Sequence, residues 1–182
     1  MFVPERYHYT EKEEKSRYDL HRNSPDNKGY VEFLNRFFLQ IKKRTDKGRD
    51  VLDFGSGPDP VLSEIFEDNG YNVSSYDIFY APDNSVLKKK FDLISMVEVA
   101  EHLRDPEGIM NMLWGCLNPG GMIGIMTKFL PEKSTEFVGW SYKNDPTHIC
   151  FYSKRSFSYV SNRLNTEPIF AADDIVLMCK SE

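Results

Sequence analysis

The residues with chemistry to offer fall into two groups. The first is Gly55-Ser56-Gly57, directly after the apolar run Val51–Phe54, followed by Asp77 at the end of the next apolar segment. A strand that runs through Gly-x-Gly into a helix places backbone N–H groups and a helix N-terminus around a bound ligand. Asp77 lies 24 residues past Asp53, where an acidic side chain can accept from both hydroxyls of a ribose. A dinucleotide fingerprint needs a third glycine at position 60 for close packing of helix on strand, and the chain has Pro60 there. The second group is acid–base in type: Glu98-x-x-Glu101-His102, and His148 within Asn144–Ser153. An imidazole in a cleft can take a hydroxyl proton at cellular pH.

Position separates the four histidines. His102 follows an apolar segment whose C-terminal end faces the ligand crevice in open α/β sheets. His148 lies in a loop with Trp140, Tyr142, Phe151 and Tyr152 around it, and polar groups among aromatics suit a pocket for a small apolar molecule. His8 reads as a structural group, and His21 falls in a segment that could cover the cleft.

Strands and helices alternate along the chain and position these groups. Thr10-x-x-Glu13 is a capping box for a charged helix that Asn23-Ser24-Pro25 ends. Tyr30, Phe33, Leu34, Phe37, Phe38 and Ile41 follow helical spacing, and Gly48 ends that region. Val51–Phe54, Tyr71–Tyr76, Phe91–Val97, Met122–Thr127 and Ile175–Lys180 read as strands. Helices are expected after Pro60, with Asp59 as cap and Val61, Leu62, Ile65 and Phe66 inside, and after Asp105-Pro106, with Ile109, Met110, Leu113 and Leu117 inside. Ser153 caps a third, carrying Phe157, Val160 and Leu164, while Asn118–Gly121 is a turn. This alternation implies a doubly wound α/β fold.

At 182 residues the chain fits a single domain, 1–182, with 1–45 as a helical lid and 48–182 as the core. A net charge of -5 argues against nucleic acid, which needs a basic footprint. Cys116, Cys150 and Cys179 form neither a metal motif nor a disulfide framework, so a reducing, cytoplasmic setting is expected. No apolar run approaches the roughly 20 residues of a membrane helix, so no membrane insertion is expected.

"VLDFGSGP", "YDIF", "FDLISMVEVAEHLRDP" and "LNPGGMIGIMT", in this order, resemble the motif set of class I S-adenosylmethionine-dependent methyltransferases over about residues 48–130. The resemblance implies a Rossmann-like, mostly parallel sheet and S-adenosylmethionine as cofactor, which has no pyrophosphate and so tolerates Pro60. It places Gly55, Ser56 and Gly57 at the methionine part, Asp53 near its ammonium and Asp77 at the ribose. Ile78 and Phe79 would lie against adenine, and Glu98 would line the same cleft. Only thirteen residues separate Asp77 from Phe91, where the family fits a helix, a strand and another helix. The usual third strand is therefore expected to be missing, leaving about six.

By their positions His148 and His102 are the catalytic candidates, acting on a small-molecule acceptor, with oxygen as the acceptor atom. Glu98-x-x-Glu101-His102 with a distant histidine is also similar to two metal-binding branches, the quinol O-methyltransferases of ubiquinone synthesis and the small-RNA 3′-terminal 2′-O-methyltransferases. Glu98, Glu101, His102 and His148 are thus the candidate ligands of a divalent metal. The alternatives are RNA 2′-O-methylation and a non-catalytic S-adenosylmethionine-binding protein, which would have no need of an ordered His148 pocket. The oligomeric state is not legible.

Overall fold

The computed structural model describes residues 1–20, 23–45 and 49–182; His21 and Gly48 lie outside the described residues. The strands are β1 (Asp50–Phe54), β2 (Asn72–Tyr76), β3 (Phe91–Val97), β4 (Leu117–Met126), β5 (Pro168–Ala172) and β6 (Ile175–Cys179). They form one mixed sheet in the order β2-β1-β3-β4-β6-β5. Pairing is parallel from β2 through β4 and antiparallel from β4 through β6 to β5. Val51, Leu52, Leu93, Ile94 and Met96 are fully buried, as central strands covered on both faces require.

The missing strand is as expected. Between β2 and β3 the only regular element is a 3-10 turn, Val86–Lys88, so β2 is the outer edge of the sheet. Val86 is buried beside Met110, Leu113 and Cys116, and Cys116 Sγ donates to the Leu87 carbonyl at 3.1 Å. The short link is thereby laid against the helix that follows β3.

The helices are α1 (Glu11–Tyr18), α2 (Lys28–Lys42), α3 (Val61–Asp68), α4 (Pro106–Cys116), α5 (Ser134–Gly139) and α6 (Lys154–Arg163). The Thr10/Glu13 capping box forms on α1, and Asp105 caps α4 through the Gly108 N–H. The N-terminal helices divide in role. α2 belongs to the core: Leu34, Phe37, Phe38 and Ile41 are buried with Val51, Leu62 and Phe66. A Cβ on Gly124 of β4 would stand 2.9 Å from both Ile41 and Phe37. α1 has no such apolar face; its single buried residue is Glu14. Of the segment 1–45, expected to act as a lid, α2 is thus part of the core.

Three local expectations are corrected. α3 starts at Val61 with Pro60 in the cap position and no side-chain cap, so Asp59 does not cap it. Leu117 is the first residue of β4 rather than the last of a helix, and β4 runs through Asn118–Gly121, with its register against β3 shifting between Phe91 and Leu93. Gly120, at φ 74°, supplies the left-handed residue that this irregularity uses. β5, which starts on a proline, and α5 have no counterpart in the sequence reading.

Candidate active site

A cavity of about 730 Å³ opens at the C-terminal ends of β1, β2 and β3, within the roughly 300–1,000 Å³ of ligand and cofactor sites. One half of its wall is main chain. Gly55 and Gly57 have φ of 81° and 69°, and a Cβ at Gly55 would lie 2.3 Å from Val99 Cγ2. Glycine is thus required at 55 by both backbone and space. The Gly55 and Ser56 N–H groups donate to the Tyr76 carbonyl at 2.7 and 3.2 Å.

Asp77 organises this half. Its Oδ2 accepts from the Gly57 N–H at 3.0 Å, and its Oδ1 accepts from the Phe79 and Tyr80 N–H groups at 2.8 and 3.1 Å. A carboxylate has about four acceptor positions; three hydrogen bonds leave one on Oδ2 for a further donor. Gly55, Ser56, Gly57, Asp77, Ile78, Phe79 and Glu98 all line the cavity, with Ile78 exposed at the rim. Asp53 does not. It is buried behind the loop, accepting from Ser63 Oγ at 2.8 Å and Ser95 Oγ at 3.0 Å. Burial first, and then the Asp77 charge, push its carboxyl up to about 6. The residue expected near the ammonium is thus behind the cavity wall, where its hydrogen bonds link β1 to β3 and α3.

The other half is made of side chains. Glu98 takes φ 53°, a left-handed conformation in a residue that has a Cβ. Glu101 is fully buried. The Tyr142 hydroxyl lies 2.5 Å from Glu101 Oε1 and 3.2 Å from Glu98 Oε2, and Glu101 Oε2 is buried without a hydrogen-bond partner among the described residues. Burial, then repulsion from Glu101, push the Glu98 carboxyl up to about 8, and burial raises Glu101 as well.

The two imidazoles meet here, with ring centroids 4.8 Å apart. His102 Nδ1 is 2.9 Å from the Thr147 carbonyl, and His148 Nδ1 is 2.7 Å from the Tyr142 carbonyl. A carbonyl only accepts, so each Nδ1 carries a proton, and the neutral form of either ring has its lone pair on Nε2. Burial, then the neighbouring His102, hold His148 below the usual imidazole value, so it is neutral at pH 7. Donor atoms of Glu101, His102 and His148 all lie within 4.8 Å of one another. Of the four expected metal ligands the structure gathers three; Glu98 is not among them, although it shares the Tyr142 hydroxyl with Glu101.

α1 roofs both halves. Tyr18 places its ring 5.9 Å from Phe79 and 5.3 Å from His102. Glu14 pairs with Arg104 at 2.8 Å, Arg17 with Asp145 at 3.0 Å, and the Tyr80 hydroxyl donates to Asp19 at 2.6 Å. Of the aromatics expected around His148, Tyr142 lies against it with its ring 4.1 Å away, while Trp140 packs on Tyr142 and Phe151. Tyr152 instead donates to the Ala100 carbonyl and stacks on Phe157. The sequence reading does not assign Tyr18, Tyr30 or Phe33, which line the cavity, and names Tyr142 only as a neighbour. The lone aromatic near the end of a charged, uniformly polar helix was the available sign for Tyr18.

A sequence model of the methyltransferase-domain family matches residues 20–166. The chain belongs to that family. Its fold is that of the class I methyltransferases. CalO1, a methyltransferase of calicheamicin biosynthesis solved with S-adenosylhomocysteine, superposes with TM-score 0.61 at 10% identity, over 94% of this chain and 59% of that one. An O-methyltransferase family protein from Burkholderia thailandensis gives 0.58 at 12% identity, over 93% and 63%. An S-adenosylmethionine-dependent methyltransferase from Methanosarcina mazei gives 0.60 at 12%, over 78% and 96%. The chain thus spans about three fifths of the length of the first two. Comparison with curated proteins gives no significant match. Among the described residues no helix is long and apolar enough to cross a membrane.

Proposed function

We propose that the chain transfers the methyl group of S-adenosylmethionine to an oxygen of a small-molecule acceptor, with His148 as the group that takes the acceptor's proton. The observation that carries this reading is the meeting of two carbonyl-anchored imidazoles with the glycine loop and Asp77 in one cavity. Gly55, Ser56 and Gly57 bind the methionine part, Asp77 the ribose, and Phe79 with Ile78 the base. A sulfonium needs no further activation of its methyl group, so the residues have two tasks: to align the acceptor oxygen in line with carbon and sulfur, and to remove its proton. His148 Nε2 accepts the hydroxyl proton as the oxygen–carbon bond forms and the carbon–sulfur bond breaks, leaving S-adenosylhomocysteine. Tyr142 fixes the tautomer of His148 through its carbonyl.

A second reading is favoured by the buried, unpartnered Oε2 of Glu101. Glu101, His102 and His148 would hold a divalent metal, drawing in slightly from their 4.8 Å span to reach bonds of about 2.0–2.2 Å. Their donor set of one carboxylate and two neutral imidazoles suits Zn²⁺ or Mn²⁺, and the carbonyls on both Nδ1 atoms are the outer contacts such ligands use. A bound metal would acidify and orient the acceptor hydroxyl.

The test is incubation of the protein with methyl-deuterated S-adenosylmethionine and a metabolite extract, read by mass spectrometry. Label on a hydroxyl oxygen is expected. Label on nitrogen or carbon overturns the oxygen assignment, and failure to bind S-adenosylhomocysteine overturns the reading as a whole. Loss of labelling in EDTA selects the metal version; unchanged labelling selects His148 alone.

A further inference from the structure

One turn carries the anchors of both imidazoles. The Tyr142 carbonyl, at its start, accepts from His148 Nδ1, and the Thr147 carbonyl, near its end, accepts from His102 Nδ1. Both contacts depend on the path of the backbone between 142 and 148. After His148 that path is fixed from outside. The Ile149 and Cys150 N–H groups donate to the Glu101 carbonyl at 2.8 and 2.9 Å, and the Val3 N–H donates to the Ile149 carbonyl at 2.8 Å. Within the turn the contacts come from Asp145. Its Oδ1 accepts from the Thr147 N–H at 3.0 Å and the Thr147 hydroxyl at 2.7 Å, and its Oδ2 accepts from Arg17 of α1 at 3.0 Å. The Asp145 carbonyl accepts from the His148 N–H at 3.1 Å. Bonds to an ionised carboxylate are stronger than neutral ones. Thr147 is 1% exposed, so its two donors would lose a partner that water does not replace.

We propose that Asp145 is a positioning residue of the methyl transfer: its carboxylate holds the turn from which Tyr142 and Thr147 aim the two imidazoles, and Arg17 ties that turn to α1. This rests on the histidine role proposed above and adds the group that sets it. Asp145 is not among the residues that line the cavity, so it acts through His102 and His148 and not on the acceptor. An unconstrained imidazole in water favours a proton on Nε2, the nitrogen that must be unprotonated to take a proton or to bind a metal. Keeping both rings in the opposite tautomer therefore needs two well-placed carbonyls, and Asp145 places them.

The experiment reads the tautomers by imidazole-nitrogen NMR of the full chain with S-adenosylhomocysteine, above the imidazole pKa, with signals assigned through His102→Gln and His148→Gln. Wild-type protein is expected to show both rings protonated on Nδ1. Asp145→Ala should move both toward the Nε2-protonated form. It should also lower methyl transfer in the labelling assay about 10- to 100-fold, the range for losing an outer partner that orients a histidine. The dissociation constant of S-adenosylhomocysteine in calorimetry should not change. Asp145→Asn keeps an oxygen for Thr147 and should restore the tautomers. Thr147→Val removes one donor to Oδ1 and should give a smaller shift of the His102 signals in the same direction, which serves if the alanine variant does not fold. Wild-type rings protonated on Nε2, or tautomers unchanged in the folded variants, would overturn the proposal. So would a loss of S-adenosylhomocysteine affinity by the same factor as transfer, the mark of a purely structural residue. If wild-type protein transfers no label, the proposed function is what fails, and the tautomers still decide what Asp145 holds.

Discussion

Around Asp77 the cavity wall is largely main chain: five backbone N–H groups, from Gly55, Ser56, Gly57, Phe79 and Tyr80, meet one carboxylate and one carbonyl. Around His148 it is side chain: Glu98, Glu101, His102 and Tyr142 converge from segments outside the sheet strands, under a helix that docks by ion pairs. The glycine-loop half is built from consecutive strand ends and is rigid because the sheet is. The histidine half is rigid only while its hydrogen bonds persist. A site that must recognise one constant molecule can be built into the backbone, while one that selects an acceptor is carried by side chains that substitution can vary.

The largest expected effect tests whether the halves are separable. His148→Ala should lower turnover about 10²–10⁴-fold, the range for losing a general base, while the affinity for S-adenosylhomocysteine in calorimetry changes little. A parallel fall in affinity would mean that the two halves are one unit. Because His148 is held below the usual imidazole value, the rising limb of the pH–rate profile should lie below about pH 6.5 and flatten above it.

Asp77→Ala is the reciprocal test. One charge-assisted ribose bond is worth roughly 1.5–3 kcal/mol, so binding should weaken about 10- to 150-fold. The three N–H groups left without their acceptor add to this by loosening the loop. Undiminished binding would remove Asp77 from the ribose.

Asp53 sharpens the picture of a rigid half that contains a cost. Its carboxyl rises from 3.8 to about 6 on folding, so between those values the folded state holds more protons than the unfolded one. Stability is then greatest at low pH and falls as pH rises through 6, by up to about 3 kcal/mol for a shift of about two units. Asp53→Asn should stabilise the protein at pH 7 and flatten the slope between pH 4 and 6 in denaturant melts. A steeper slope would show that the carboxylate is stabilising as the anion.

The smallest effect concerns the roof. Arg17→Ala removes a partly exposed ion pair with Asp145, worth about 0.2–1 kcal/mol. Amide exchange over residues 11–18 should quicken by that margin and slow again with bound S-adenosylhomocysteine. Exchange in α1 that does not respond to ligand would deny it a closing role.

The glycine-loop half was legible because each of its signals is local: Gly-x-Gly after an apolar run, an aspartate ending the next one, a link too short for a strand. Asp53 misled because its type fits a ligand contact, and only the serines at 63 and 95 show that it is turned inward. The histidine half was legible in residue type and not in arrangement. Tyr142 meets Glu98 and Glu101 across 44 and 41 positions, and no spacing encodes that Glu101 rather than Glu98 joins the imidazoles. β5 escaped because its pairing with β6, not its own composition, makes it a strand.

The absent third strand also bears on how molecules of this chain behave toward one another. It leaves β2 as a sheet margin, and such margins template intermolecular pairing, the first step of aggregation. β2 is five residues long and reads Asn-Val-Ser-Ser-Tyr, with one aliphatic side chain where the interior strand β3 has three and a methionine. Shortness and hydroxyl-rich composition make this margin a poor template, so the fold sheds a strand without acquiring a sticky border.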